Sequence, residues 1–292
     1  MRPLDLDTRT IRSNDGTELS YQVSAGQGQC IVLINGLAGR FKIWHHLIDY
    51  LGGDYRLLSW DYRELYDRAS SPSTLADGGL VATHAHDLAT ILKAEQIEQA
   101  VWVTWSVGSQ VALEAMGGLR LGASHLIMVN PTFGAMQAGP LAPVRSTLAP
   151  RALKYIERSH LLAEAIAGRV ARWPEIASWL KRLGLVGPTI DQEALAEVAG
   201  SFAELNMQAF IRNLRAFELH DAGGRLDSVQ IPTLLITGQR DLLAPREKAE
   251  AAARRIAGSE TFLIRGCTHY APLEFPELLN LRIEKFLREH GA

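Results

Sequence analysis

Three residues far apart in the sequence have side chains that could act together: Ser106, Asp241 and His269. A serine hydroxyl is a poor nucleophile until an imidazole accepts its proton, and the resulting imidazolium is stabilised by a carboxylate that also fixes the tautomer. Each of the three comes after a short apolar run. Ser106 follows Val101-Trp102-Val103-Thr104-Trp105 and leads into a helix-like stretch from Gln110 to Met116. Asp241 stands in Gly238-Gln239-Arg240-Asp241 after Thr233 to Thr237, and His269 ends Arg265-Gly266-Cys267-Thr268-His269 after Thr261 to Ile264. A serine at a sharp strand-to-helix turn needs small neighbours two before and two after it, because strand and helix pass close together there. Gly108 meets that need, whereas Thr104 stands where a glycine is usual.

Other readings compete for the same residues. Cys267 lies two positions before His269 and could be a thiol nucleophile, but a nucleophile and its base usually come from separate segments. Asp241 could merely cap a helix or turn. Asp61 reads as a structural or pocket-edge acid, since it precedes the serine. His84 and His86 form an H-x-H pair, yet residues two apart on a helix face different directions, so both are expected to be solvated rather than metal-bound. His45 and His46, after Trp44, are expected to pack in the core or on the surface. No His, Cys or carboxylate cluster has metal-ligand spacing, and neither a metal nor a cofactor is expected.

The elements that must hold these residues are legible from periodicity. Residues 8 to 22 alternate around Ser13-Asn14-Asp15-Gly16 and read as a β-hairpin. Continuous apolar runs at Cys30 to Ile34, Arg56 to Trp60, Ala100 to Trp105, His125 to Val129, Thr233 to Thr237 and Thr261 to Ile264 read as strands buried on both faces. Helical spacing lies between several of them, from about Val81 to Glu95 with a stripe of Ala85, Leu88, Ala89 and Leu92, and after Pro276 with Leu279, Ile283, Phe286 and Leu287. Alternating strand and helix implies an α/β fold, a doubly wound and mostly parallel sheet covered on both sides. Between about Thr132 and Asp227 the rhythm breaks. That stretch has no strand-like run, is punctuated by Pro140, Pro143, Pro150, Pro174 and Pro188, and has helical spacing over Leu161 to Val170, Ile176 to Leu183 and Leu195 to Phe217. It reads as a helical cap, residues 132–227, inserted into a core of residues 1–131 and 228–292, over the strand ends where ligands of such sheets bind.

The whole pattern resembles the α/β-hydrolase superfamily over nearly the full chain. The matching pieces are Ile34-Asn35-Gly36-Leu37-Ala38-Gly39, Trp60-Asp61-Tyr62-Arg63, the serine turn, Gly238-Gln239-Arg240-Asp241, and Gly266-Cys267-Thr268-His269 followed by Leu273-Glu274-Phe275-Pro276. Within it the chain resembles the capped branch of carboxylesterases, cofactor-free haloperoxidases and intracellular polyester depolymerases, and serine at the turn sets it apart from the branches with an aspartate nucleophile. The order Ser, Asp, His is that of the superfamily. The resemblance implies Ser106 as nucleophile, His269 as general base, Asp241 as the orienting acid, and an oxyanion hole from the backbone N–H groups of Leu37 and Val107. It also places Asn35, where many relatives have histidine, and Trp105 at the pocket, although Trp105 packed beneath the oxyanion loop fits equally well.

The implied function is hydrolysis of an ester-type bond in a largely apolar small or medium substrate through an acyl-enzyme. Acyl transfer, thioester cleavage, perhydrolase or lyase chemistry with the same triad, and a non-catalytic ligand receptor, stay open as alternatives. With 30 basic and 32 acidic residues among 292, a formal charge of −2 gives no field to draw nucleic acid or anionic membrane. No apolar run approaches the roughly 18 residues of a membrane span. An N-terminus without an apolar core and two separated cysteines, Cys30 and Cys267, point to a cytoplasmic protein with free thiols. Arg145, Arg151, Lys154, Arg158, Arg169, Arg172, Lys181 and Arg182 in the insertion, interspersed with acids, read as a solvated face, with a phosphate-bearing acyl carrier as the alternative partner.

Overall fold

The computed structural model describes residues 6–26, 28–66, 79–134 and 176–292. The helix expected over Leu161 to Val170, and Arg145, Arg151, Lys154, Arg158, Arg169 and Arg172 of the basic face, lie outside these. Eight strands form one sheet: β1 (Leu6–Arg12), β2 (Glu18–Ser24), β3 (Cys30–Ile34), β4 (Arg56–Trp60), β5 (Gln99–Trp105), β6 (Gly122–Val129), β7 (Thr233–Gly238) and β8 (Glu260–Ile264), in the order β1-β2-β4-β3-β5-β6-β7-β8. The expected hairpin is β1 and β2, turned by Gly16 at φ +85, and it joins β4 antiparallel; the other pairs are parallel.

The chain leaves β3 toward β4 on one side and returns to β5 on the other. Connections that diverge in this way open a crevice above the carboxyl ends of β3 and β5, the place where open α/β sheets bind ligands. Ser106, Asp241 and His269 all lie just past strand ends on that edge.

Side chains alternate between the faces because a strand has a two-residue period. Val32, Ile34, Ala100 and Trp102 enter one core layer, against α2 (Leu80–Ala94) and α3 (Gly108–Gly118). Ile31, Leu33, Val101, Val103 and Trp105 enter the other. That second layer is covered by α1 (His45–Leu51) and, after three helices between residues 176 and 219 and α7 (Arg246–Ala253), by the short α8 (Ala271–Glu274) and by α9 (Pro276–His290). In α9 the buried apolar residues are the expected Leu279, Ile283, Phe286 and Leu287, the helix opens on Pro276 and it ends at Gly291 with φ +76. Burying each such side chain contributes about 1.5–3 kcal/mol, so Phe286→Ala should cost about 3–5 kcal/mol.

Two expectations need correction. Strand β8 is buried on neither whole face; only Ile264 is fully covered, because β8 is the sheet edge. His84 is not solvated. It is fully buried, with its Nε2 2.6 Å from Asn213 Oδ1, whereas His86 is exposed. The cause is a helix from the insertion that lies on α2.

The described part of the insertion is helical: α4 (Ile176–Arg182), α5 (Gln192–Glu204) and α6 (Met207–Leu219). The helical spacing over Leu195 to Phe217 is split between α5 and α6, since Asn206 caps α6 by accepting the Ala209 N–H at 3.1 Å. Leu205, Ala209, Ala216 and Phe217 join the α2 and α3 layer, while Val186, Ile190 and Leu195 join the other. No helix among the described residues is long and apolar enough to cross a membrane.

Candidate active site

Strand β5 ends at Trp105, and Ser106 comes next at φ +56, a left-handed conformation that costs a residue with a Cβ about 1–2 kcal/mol. The turn is held by Ser106 N–H donating to Val129 O at 3.0 Å and by Thr132 N–H donating to Ser106 O at 3.2 Å. Gly108 is obligatory, because a Cβ there would stand 2.5 Å from Ile34 O and 2.7 Å from Asn35 O. Thr104 is accommodated at the atypical position by burial and a 2.7 Å hydrogen bond between its Oγ1 and Ser109 Oγ.

His269 Nε2 lies 2.8 Å from Ser106 Oγ, and its Nδ1 lies 2.8 Å from Asp241 Oδ2. A carboxylate can only accept, so Nδ1 carries the proton and Nε2 offers its lone pair to the serine O–H. All three side chains are buried. Asp241 is saturated: Oδ1 accepts the N–H groups of Leu243 and Ala244, both at 2.8 Å, and Oδ2 accepts Asn130 Nδ2 at 2.7 Å as well as the imidazole. These bonds fix the carboxylate in place. Asn130, at φ +46 immediately after β6, also donates to Thr268 O at 3.2 Å and so ties the acid loop to the histidine loop. Sequence reasoning missed it, although its place at a strand end is the same signal that marked the other three.

The loop after β3 is a turn closed by Gly39 N–H donating to Gly36 O at 2.9 Å, with Leu37 and Ala38 (φ +60) at its centre. Among the described residues the N–H groups of Leu37 and Val107 donate to no protein acceptor; Val107 is the N-cap of α3, where such donors are left over by the helix. Tyr62 Oη and Tyr66 Oη donate to the loop carbonyls of Asn35 and Ala38 at 2.6 and 2.7 Å.

Trp105 takes the packing role. It is 4% exposed, lies so close under the loop that a Cβ at Gly36 would meet its ring at 2.6 Å, and donates Nε1–H to His269 O at 2.9 Å. Asn35 corrects the expectation of a pocket residue. Its side chain is 1% exposed, and it donates to Trp60 O and Ser59 Oγ and accepts from Trp44 Nε1, so it faces the core and not the pocket. Cys267 is fully buried, and burial pushes its thiol far above the ordinary range, which excludes the thiolate reading. Asp61 lies immediately after β4, 3.4 Å from Arg40 Nε; burial raises its carboxyl to about 6 against the pull of that guanidinium.

The histidine loop has a second buried support. Glu274 accepts Thr268 N–H at 2.8 Å, Thr268 Oγ–H at 2.5 Å and, from the segment between α4 and α5, Gly187 N–H at 2.7 Å. Elsewhere His45 and His46 depart from the expected packing role: both face Asp191, forming a cluster of three metal-ligating side chains among the described residues. The distance of Asp191 in sequence hid it.

A family model described as the alpha/beta hydrolase family matches residues 31–280. A putative carbamate hydrolase RutD of Rhizobium rhizogenes is 24% identical over 88% of this chain and 92% of its own. A pimeloyl-[acyl-carrier protein] methyl ester esterase of Vibrio vulnificus is 24% identical over 89% of this chain and 94% of its own. Among solved structures, a bromoperoxidase from Bacillus anthracis superposes with a TM-score of 0.76 at 17% identity, covering 97% of this chain and 100% of that one.

Proposed function

This chain belongs to the alpha/beta hydrolase family, and we propose that it is a serine hydrolase cleaving a carboxylic ester-type bond of a largely apolar substrate through an acyl-enzyme. One observation carries the reading: the hydrogen-bond chain from Ser106 Oγ through His269 to Asp241, with both links 2.8 Å, on a strained turn at the mouth of the crevice. Ser106 Oγ attacks the carbonyl carbon as its proton passes to His269 Nε2. The tetrahedral oxyanion is received by the N–H groups of Leu37 and Val107, and donors of this kind stabilise a transition state by about 3–4 kcal/mol each. Collapse breaks the bond to the alcohol, which leaves with the proton from His269. Water then gives its proton to His269 and attacks the acyl carbonyl, releasing the acid and restoring Ser106.

The names of the two curated relatives support carbonyl chemistry, since carbamates and methyl esters both place a leaving group on a carbonyl carbon. We assign the core to residues 1–131 and 228–292 and the substrate-selecting cap to residues 132–227. The methyl ester esterase of Vibrio vulnificus acts, by its name, on a carrier-bound acyl group, and an acyl carrier is the partner to test beside small free esters.

The deciding experiment is labelling with a fluorophosphonate, followed by kinetics on a panel of esters, thioesters and lactones. Ser106→Ala should abolish labelling. Ser106→Ala and His269→Ala should each lower turnover by several orders of magnitude with the double variant little worse, because the triad acts as a unit. Full activity in folded Asp241→Asn would show that the acid lies elsewhere.

A further inference from the structure

His45 and His46 open helix α1 on the core, and Asp191 immediately precedes α5 on the insertion. Asp191 Oδ2 lies 3.8 Å from His45 Nε2 and 3.2 Å from His46 Nε2, and one ligand atom from each of the three residues lies within 4.8 Å of those of the others. His45 Nδ1 is 3.0 Å from Lys42 O. A carbonyl only accepts, so Nδ1 bears the proton and the lone pair of His45 is on Nε2, toward the cluster. His46 Nε2 is shielded from solvent and makes no hydrogen bond, although the carboxylate is near. Asp191 Oδ1 accepts the Glu193 N–H at 3.0 Å and its own N–H donates to Leu273 O at 3.0 Å, which fixes the carboxylate.

We infer that His45, His46 and Asp191 form a binding site for a divalent transition-metal ion of the zinc type, which clasps the start of α5 to the core. Zinc takes imidazole nitrogen and carboxylate oxygen at about 2.0–2.2 Å, so the edges of a tetrahedral ligand set are about 3.3–3.5 Å, close to the two spacings here. The two nitrogens favour zinc, cobalt, nickel or copper over magnesium or calcium, which prefer oxygen alone. Each of the three side chains is about one-third exposed, leaving a fourth position open to water. The Lys42 carbonyl behind His45 is the outer hydrogen bond that metal-binding histidines almost always make. The site is separate from the triad, and the ion takes no part in the ester chemistry.

The test is titration of the chelator-treated full chain with Co²⁺ and then Zn²⁺. One ion per chain is expected, with the visible bands of tetrahedral cobalt, displaced by zinc. At free Zn²⁺ a hundred times the dissociation constant, the thermal midpoint should rise by about 5 °C or more. His46→Ala and Asp191→Asn should each weaken binding by about 100-fold or more, beyond the loss usual when only an outer hydrogen-bond partner is removed. His86→Ala should change nothing. Failure of the wild-type chain to bind either ion at millimolar concentration, or binding undiminished in both variants, would overturn the site. The wild-type spectrum decides the matter even if a variant fails to fold.

Discussion

Gly238→Ala probes the common support of the proposed acid and base, because Gly238 ends β7 where the Asp241 loop touches the His269 loop. An added Cβ would stand 2.4 Å from Thr268 O and 2.6 Å from Cys267 O. Ordinary contact begins near 3.4 Å, so the two loops must part by about 0.8–1 Å. They are bridged there by Arg240 N–H donating to Cys267 O at 2.8 Å, and the 2.8 Å bond between His269 and Asp241 spans the same gap. Misplacing a catalytic group by about 1 Å costs about 10²-fold, and loss of tautomer control sets an upper bound near 10⁴. Overpacking should cost about 1–3 kcal/mol of stability, a fall of several degrees in the thermal midpoint. The assay is kcat/KM on a p-nitrophenyl ester beside thermal unfolding and the rate of fluorophosphonate labelling. Gly258→Ala is the control, since Gly258 has φ +69 and nothing within 4 Å, so it should lose stability without losing rate. A folded Gly238→Ala with kcat/KM within about threefold of wild type would refute the shared support.

Arg63→Met should destabilise the chain by about 3–5 kcal/mol in thermal or urea unfolding, because it strands the buried carboxylate of Asp87, to which Arg63 Nε donates at 2.9 Å. Burial works against that charge, but His84, 3.9 Å away, and Arg63 outweigh it and hold Asp87 below the ordinary range. The stability it contributes is therefore present above the usual carboxylate pKa and is lost as pH falls through the lowered folded value, so the gap between wild type and Arg63→Met should narrow in acid. If the cap makes an apolar pocket, specificity constants should climb with acyl length by up to about 0.8 kcal/mol per methylene and then level; a flat profile from acetyl to octanoyl would refute this. Thiol reagents should leave activity unchanged in the native chain, since Cys30 and Cys267 are both buried, with burial raising Cys30 to about 11; rapid inactivation would show one of them at the site.

The sheet and the meeting of Ser106, Asp241 and His269 were legible because continuous apolar runs mark buried parallel strands, and such strands bring the residues just past their carboxyl ends to one edge. The hidden features depend on partners remote in sequence. Nothing near His84 reveals that α6 will cover it, and nothing near His46 announces Asp191. Asn35 looked like a pocket residue because the resemblance aligns it with a histidine of many relatives, yet Trp44 and Trp60 turn it inward. The edge position of β8 likewise depends on strand order, which composition does not encode.

Glu274 and the Asp191 N–H have a practical consequence for rebuilding the molecule. Although Leu185 to Asp191 falls within the inserted stretch of sequence, it is bonded to the histidine loop and α8 through Gly187, Thr268 and Leu273, and Val186 and Ile190 are packed in the core. An insertion transplanted from a relative with cuts at the ends of β6 and β7 would remove this buttress along with the helices of the proposed cap. A graft that keeps residues 185–191 with the recipient would exchange the proposed selectivity element while leaving the histidine's footing in place.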